Sequence, residues 1–150
     1  MTDRLVIRRA WIEDLGAVIA LLADDPLGSG RESSDLAPYV TAFDQISADP
    51  NQFLAVAEAD GRIVGTLQLS FIAGLSRGGM RRGLIEAVRV AGDLRGRKIG
   101  EALIHWAMDM CRKEGCGLVQ LTTDKSRTDA HRFYDRLGFE ASHLGYKRML

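Results

Sequence analysis

Arginine, lysine and glycine residues crowd the start of a predicted helix and indicate a site for an anion. Residues 95–100 read Arg-Gly-Arg-Lys-Ile-Gly and open an amphipathic pattern. A helix N-terminus presents unpartnered backbone N–H groups and a partial positive charge, and both attract phosphate oxygens. Gly96 and Gly100 permit close backbone approach that a Cβ would obstruct. The segment predicts phosphate binding, with a plain strand-to-helix connection as the alternative. Its basic side chains are Arg95, Arg97 and Lys98.

The charge of the surrounding sequence favours the same prediction. The whole chain carries 20 Lys+Arg and 20 Asp+Glu, so any excess of one sign is local. Between residues 77 and 98 the acidic residues are Glu86 and Asp93, and seven basic residues suggest an anionic ligand. The loop has neither the Gly-Lys-Ser/Thr of a Walker A sequence nor the Gly-x-Gly-x-x-Gly of a dinucleotide fold. The seven basic residues are Arg77, Arg81, Arg82, Arg89, Arg95, Arg97 and Lys98.

Glu86 is the candidate general base. In a regular strand it would share a face with Val88 and Val90, because side chains alternate. A carboxylate there could take a proton from an ammonium group, directly or through water. The alternative is a glutamate in solvent, or one paired with Arg89 or a loop arginine.

Tyr134 is a second candidate residue, although its position alone favours packing. It lies on a helical stripe with Ala130, Phe133 and Leu137. Aromatic residues at that spacing usually belong to a core. A chemical role for Tyr134 therefore depends on a motif rather than on periodicity.

The elements that must position these residues alternate between β and α patterns. Asp60-Gly61 between two apolar runs predicts a hairpin. One helix face is predicted to carry Ile99, Leu103, Trp106, Ala107 and Met110. The order implies an α/β (α+β) fold with a mixed, mostly antiparallel sheet of six to seven strands and about four helices. Strands are predicted at residues 5–9, 53–59, 62–72, 84–90, 118–122, 139–143 and 146–149, and helices near residues 12–22, 35–48, 99–110 and 130–137.

Composition narrows the class of protein. A chain of 150 residues and zero net charge suits a single domain over residues 1–150 and argues against a general nucleic-acid coat protein. No apolar run has the length of a signal peptide core or a membrane span, so we expect a cytoplasmic protein with no membrane partner. Cys111 and Cys116 lack a partner pair, so neither a disulfide framework nor a metal site is expected.

Two motifs resemble the GNAT superfamily of acyl-CoA-dependent N-acyltransferases. Residues 95–100 are similar to its Gln/Arg-x-x-Gly-x-Gly/Ala signature, and residues 129–139, DAHRFYDRLGF, resemble its late helix, A-x-x-x-Y-x-x-x-G-F. Residues 5–22 look like the family's first strand and helix, and residues 88–90 like its fourth strand. The similarity covers essentially the whole chain.

The resemblance implies an acetyl-CoA site between splayed fourth and fifth strands. Val90 would pair its backbone with pantetheine, and the Val88 N–H would polarise the thioester carbonyl. Tyr134 would protonate the leaving CoA thiolate. Amides of residues 95–101 would hold the pyrophosphate. The predicted cofactor-binding residues are Val88, Arg89, Val90, Arg95, Gly96, Arg97, Lys98, Ile99, Gly100, Glu101 and Arg127.

Two positions depart from the family pattern. Lys98 stands where the signature has its first glycine, which questions close backbone approach there while keeping the N–H and adding a charge. Arg127 stands where the late helix often opens with asparagine.

The sequence predicts an N-acetyltransferase that moves acetyl from acetyl-CoA to a primary amine of a small molecule or protein, by direct attack in a ternary complex. Six acidic residues at positions 24–49 suggest a cationic acceptor, with a solvated helix face as the alternative. The rival functions are a catalytically silent CoA-binding sensor or interaction module and a phosphate-binding domain unrelated to CoA. Dimers are common among similar proteins, so a homodimer is expected, although no residue indicates one.

Overall fold

The computed structural model describes residues 4–150, which divide into two compact units. The first unit extends to Gln120, and the second comprises Leu121–Leu150. No helix within the described residues is long and apolar enough to cross a bilayer.

Five strands form one sheet in the order β1-β2-β3-β4-β5. The pairings β1–β2, β2–β3 and β3–β4 are antiparallel. Strand β5 begins beside the start of β4, where the Gly117 N–H donates to the Arg81 C=O at 2.8 Å. The predicted mixed, mostly antiparallel sheet is confirmed. The strands are β1 (Val6–Arg9), β2 (Gln52–Ala59), β3 (Arg62–Ile72), β4 (Arg82–Val90) and β5 (Leu118–Leu121).

The β2–β3 hairpin forms where the sequence predicts it. Asp60 and Gly61 have φ values of 51° and 78°, as both central residues of a type I′ turn require. Such a turn matches the right-handed twist of the strands that it joins. This hairpin supplies β3, the strand on which β4 and the candidate site are built.

Helices cover both faces of the sheet in the first unit. The helices of the chain are α1 (Leu15–Ala23), α2 (Ala37–Ala48), α3 (Ser76–Gly79), α4 (Ile99–Lys113) and α5 (Thr128–Arg136). Helix α3 is a single turn in which Arg77 and Gly78 have positive φ.

Helix α4 packs closely on the face that carries Gly65 and Gly83. A Cβ on Gly65 would lie 2.9 Å from Leu103 Cδ1, and one on Gly83 would lie 2.2 Å from Cys111 Sγ. The buried residues of α4 include Ile99, which confirms the apolar face predicted for this helix. The missing side chains of two strand glycines therefore let the helix approach the sheet.

The opposite face carries α1 and α2. Val56 of β2 is buried there against Ala10 and Val18, with Leu22 of α1 and Phe43 of α2 packed on them. Val56 is in register with Thr66 of β3, so even-numbered residues of β3 face these helices. We call the face of the sheet that carries Gly65 the α4 side and the face that carries Thr66 the α1–α2 side.

The chain beyond α5 does not form the two closing strands predicted at residues 139–143 and 146–149. Residues 139–150 lie outside every helix and strand, and Leu144, Tyr146 and Met149 are exposed. An apolar β pattern becomes a strand only where another strand offers its edge for hydrogen bonds. The prediction of six to seven strands is therefore wrong, since the sheet of the described residues has five.

Candidate active site

Strand β4 has a bulge in its middle. Glu86 is in register with Gln68 and Arg89 with Thr66, so three steps along β4 match two along β3. Ala87 has a φ of 52°, which residues with a Cβ seldom adopt. A β-bulge bends its strand and leaves the extra residue outside the ladder.

The backbone of β3 alternates between its two neighbours. Phe71 donates its N–H to the C=O of Asn51, the residue before β2, at 2.9 Å. On the other side, the Val64 C=O accepts the Ala91 N–H at 2.8 Å, just past the end of β4. Leu67 has the same strand parity as Phe71, so its N–H and C=O face β2.

The bulge and the end of β4 therefore direct backbone groups away from β3. Ala87 and Val88 lie opposite Leu67, which offers them no backbone partner on this side. Val90 is in register with Gly65, which also faces β2, so the Val90 N–H and C=O point away from β3. Strand β4 has nine residues and β5 has four, so β4 extends past β5 at Val88 and Val90.

A short cationic loop joins β4 to α4. Gly92–Leu94 forms a 3-10 turn, and Lys98 is the N-cap of α4 without a capping side-chain bond. The Ala102 N–H donates to the Lys98 C=O at 3.0 Å, so the N–H groups of residues 99–101 precede the helical ladder. These open amides lie beside exposed basic side chains and fit a phosphate group. The exposed cations are Arg95, Arg97 and Lys98.

Lys98 adopts the conformation that glycine tolerates best. Its φ and ψ are 64° and 18°, in the left-handed region, at the position where the GNAT signature has glycine. For a residue with a Cβ this conformation costs about 1–2 kcal/mol. The loop thus keeps the backbone geometry of a glycine while adding an ammonium group.

The basic residues between positions 77 and 98 do not form one cluster in the structure. The expectation of a single basic cluster for an anionic ligand is therefore wrong. Arg82 begins β4, and Arg95 follows its end, so the two groups of cations are separated by a strand of nine residues, about 30 Å at 3.3 Å each. Arg81 binds Asn51 Oδ1 at 2.8 Å and lies 3.8 Å from Glu114. The cations that follow β4 are the ones that lie beside the open amides at the start of α4.

Glu86 is exposed on the α1–α2 side of the sheet, in register with Gln68. The expectation that it shares a face with Val90 is wrong, because the extra residue of the bulge reverses the alternation between them. Val90 is in register with Gly65 on the α4 side. Arg89, which would neutralise Glu86 in the alternative interpretation, has another partner.

That partner is Asp25, in the segment between α1 and α2. The Arg89 Nε lies 2.7 Å from Asp25 Oδ2, and the side chains are 15% and 5% exposed. The Arg89 Nη1 also donates to the C=O of Val88 at 3.0 Å. The Arg89 side chain, predicted to bind the cofactor, is therefore occupied on the α1–α2 side.

The acidic residues at positions 24–49 are largely engaged in local contacts. Glu32 accepts the Tyr39 hydroxyl at 2.6 Å, and Asp35 accepts the Ala37 N–H at 3.1 Å. Asp49 accepts the Asn51 N–H at 2.8 Å. These contacts give several of the six carboxylates a role in turns and caps, which weakens the inference that they form one cation-binding surface.

The second unit holds Tyr134 and Arg127. Tyr134 makes edge contacts with the rings of Phe133 and Phe139, at centroid distances of 5.1 and 5.8 Å. Arg127 is the N-cap of α5, with no capping bond from its side chain. Asparagine at this position could accept a backbone N–H bond, whereas arginine offers only donors.

Cys111 is buried and is not suited to act as a nucleophile. Burial raises the pKa of the Cys111 thiol to about 12, so little thiolate exists near neutral pH. Among residues 4–150 no group of three or more histidine, cysteine or acidic side chains is arranged to hold a metal ion.

Sequence reasoning missed Ala87, and it counted Asp25 only among the acidic residues at positions 24–49, without its role in the turn or its partner. Ala87 gives no signal, because alanine is not a residue typical of positive φ. Asp25 had a signal, since Asp-Pro-x-Gly is typical of a turn in which aspartate accepts backbone N–H groups. Its other partner, Arg89, lies far away in the sequence, so that contact could not be predicted without the fold.

The fold and motifs agree with comparisons to known proteins. The model of the Acetyltransferase (GNAT) family matches residues 15–139. The chain is 32% identical over 144 residues to an aminoalkylphosphonate N-acetyltransferase of Salmonella typhimurium strain LT2, covering 96% of this chain and 90% of that protein. It is 40% identical over 81 residues to a glucosamine 6-phosphate N-acetyltransferase of Trypanosoma brucei brucei, covering 54% and 53% of the two chains.

A solved structure is similar throughout. The crystal structure of a transcriptional regulator from Bacillus halodurans C-125 is 44% identical, with a TM-score of 0.95, and the match covers 98% of this chain and 100% of that chain. The chain belongs to the GNAT acetyltransferase family. It is accordingly an enzyme of the acyltransferase class.

Proposed function

We propose that this protein transfers acetyl from acetyl-CoA to a primary amine by direct attack in a ternary complex. The observation that carries the proposal is the bulge of β4, which takes Val88 out of the β3–β4 ladder near the end of the strand that leads into the cationic loop. A fixed N–H donor there can stabilise the oxyanion that develops on the thioester. The buried thiol of Cys111 supports direct attack over an acyl-enzyme.

The donor site would follow β4 and the first turn of α4. The outward N–H and C=O of Val90 would bind the pantetheine amides, and open amides with three cations would bind the pyrophosphate. Arg89 lies between the two valines, but Asp25 occupies its side chain, so we assign that side chain no cofactor contact. The family match crosses from the first unit into the second, which supports the predicted single domain over residues 1–150. The proposed donor-site residues are Val88, Val90, Arg95, Gly96, Arg97, Lys98, Ile99, Gly100, Glu101 and Arg127.

Two side chains would move the protons. Glu86 would accept a proton from the attacking nitrogen as the new C–N bond forms. Tyr134 would donate its hydroxyl proton to the sulfur as the C–S bond breaks. The exposure of Glu86 favours the first role, and the late-helix motif favours the second.

The acceptor would be a small molecule with a primary amine. The relatives named above are an aminoalkylphosphonate and a glucosamine 6-phosphate N-acetyltransferase, so both are named for amines that also bear an anionic phosphorus group. Amines of this kind belong in a first panel, beside polyamines, aminoglycosides and lysine peptides. The cytoplasmic location, the protein acceptor and the homodimer stay predictions.

Calorimetric titration with acetyl-CoA, followed by thiol release with the amine panel, tests the proposal. We expect one micromolar site per chain and turnover with at least one amine. Glu86→Gln and Tyr134→Phe should each lower kcat about 100-fold at unchanged acetyl-CoA affinity, as loss of a general base or acid predicts. Absence of acetyl-CoA binding would contradict the proposal.

The similarity to a transcriptional regulator favours a second candidate function, a CoA-binding sensor without turnover. Acetyl-CoA binding without thiol release across the whole panel would favour that function. Turnover with any amine of the panel, lowered about 100-fold in Tyr134→Phe, would exclude it.

A further inference from the structure

The contact between Asp25 and Arg89 ties the segment between α1 and α2 to the bulged strand. The Asp25 Oδ2 is 2.7 Å from the Arg89 Nε, and both side chains are largely buried. The other oxygen, Oδ1, accepts the N–H groups of Leu27 and Gly28 at 2.8 and 2.7 Å. One carboxylate therefore holds both the turn and the strand.

The turn has no room to shift toward α1. A Cβ on Gly28 would lie 1.9 Å from the Leu22 C=O oxygen, so this glycine packs directly on the last turn of the helix. The 3-10 turn Gly28–Gly30 continues from there toward α2. Contacts at Asp25 and Gly28 thus hold the beginning of this connection against α1 and β4.

Through Arg89 the pair also contacts the backbone of Val88, which lies at the proposed reaction centre. Arg89 follows Val88 directly and donates from Nη1 to the Val88 C=O at 3.0 Å. Arg89 and Glu86 face the same side of the sheet, because the bulge places their partners Thr66 and Gln68 on one face. The connection held by Asp25 therefore adjoins the face from which Glu86 would meet an amine.

We infer that the Asp25–Arg89 pair is a positioning device that fixes the α1–α2 connection beside the β4 bulge and so sets the affinity for the amine acceptor. The inference rests on the proposed function. A buried ion pair is in itself weak evidence for stability, since desolvation offsets much of the attraction. The pair matters here for geometry, because it fixes the α1–α2 connection, which would bind the amine, to the strand that carries the proposed oxyanion donor.

Steady-state kinetics of the full chain with acetyl-CoA and the best amine of the panel test the inference. Asp25→Asn keeps an oxygen for Leu27 and Gly28 but removes the charge opposite Arg89, and Arg89→Gln removes the cation. Each should raise the acceptor KM about tenfold or more and leave the calorimetric Kd of acetyl-CoA within about twofold. In the double variant the loss should be smaller than the product of the single losses, because the two residues act as a unit.

Asp14→Asn is the matched control, since Asp14 pairs with Arg8 at 2.7 Å and its side chain is 10% exposed. It should leave the acceptor KM within about twofold. An unchanged acceptor KM in Asp25→Asn and Arg89→Gln, or an equal rise in Asp14→Asn, would overturn the inference alone. Failure of the unmodified protein to acetylate any amine would overturn the proposed function and the inference together.

Discussion

Helix α1 has an aspartate–arginine pair at each end. Before its first turn, Asp14 binds Arg8 at 2.7 Å, and Arg8 also binds Glu58 of β2 at 2.8 Å. After its last turn, Asp25 binds Arg89 at 2.7 Å. In both pairs the carboxylate also accepts backbone N–H groups, from Trp11 in the first and from Leu27 and Gly28 in the second.

The two pairs differ in what they join. Arg8 distributes its donors over Asp14, Glu58 and the Arg9 C=O, and its guanidinium lies 3.7 Å from the centre of the Trp11 ring. All these partners lie in β1, β2 and the entry to α1. Arg89 instead touches the backbone of Val88 inside the bulge. The first pair thus joins elements of the fold, whereas the second joins the segment after α1 to the bulge of β4, where we place the reaction centre.

The largest effect on stability should come from Asp14→Asn. The change leaves the Arg8 guanidinium partly buried with one fewer carboxylate, and breaking such a pair costs about 3 kcal/mol of the free energy of unfolding. Urea unfolding measures the loss. At a temperature where the variant stays folded, its acceptor KM should match that of the unmodified protein. A loss under about 1 kcal/mol would show that Glu58 alone satisfies Arg8.

Gly28→Ala tests the other end of α1 without altering a charge. Its Cβ would collide with the Leu22 C=O, and overpacking of this kind costs about 2 kcal/mol. Because the connection must move, the acceptor KM should rise as well, as with Asp25→Asn. The measurements are urea unfolding and steady-state kinetics.

Gly30→Ala is the control, because Gly30 lies in the same 3-10 turn as Gly28 but a Cβ on it would meet nothing within 4 Å. It should leave the acceptor KM unchanged. A rise in KM for Gly30→Ala equal to that for Gly28→Ala would mean that any change in this turn disturbs the site, which would blur the contrast between the two ends of α1.

Local features of the fold could be predicted from the sequence, whereas features that depend on pairing between distant strands could not. The Asp60-Gly61 hairpin and the buried face of α4 follow from turn chemistry and from periodicity, so they were predictable. The bulge was not, because the left-handed φ of Ala87 is imposed by pairing with β3 rather than by alanine itself. The error about the faces of Glu86 and Val90 follows from that one missed residue.

The basic residues teach the same lesson about distance. Counted along the chain, Arg77 and Lys98 belong to one cluster, yet β4 separates them. Sequence proximity reports spatial proximity within a turn or a helix but not across an extended strand. The residues of the motif around Lys98, by contrast, lie together, because the loop leads directly into the first turn of α4.

Acid sharpens the contrast between the two pairs. The hydrogen bond from Arg8 lowers the pKa of Asp14. In the unfolded chain the pKa of an aspartate is about 3.9. Because the pKa of Asp14 is lower in the folded protein, its ion pair with Arg8 stabilises the fold fully above that value, and this stabilisation is lost as pH falls through the pKa of the folded state. The difference in unfolding free energy between the unmodified protein and Asp14→Asn should therefore shrink below about pH 4. Urea midpoints from pH 3 to pH 7 measure it, and a difference that stays constant over this range would contradict the assignment.

The smallest effect should come from Gly16→Ala, within α1 between the two pairs. Gly16 is exposed, and a Cβ there meets nothing within 4 Å. Alanine in a helix is more favourable than glycine by about 0.5–1 kcal/mol, so the unfolding free energy should rise by that amount. The acceptor KM should not change, because the variant strengthens the helix without touching Asp25 or Gly28. If a more stable α1 by itself lowered the acceptor KM, helix stability rather than the Asp25–Arg89 contact would control the acceptor side.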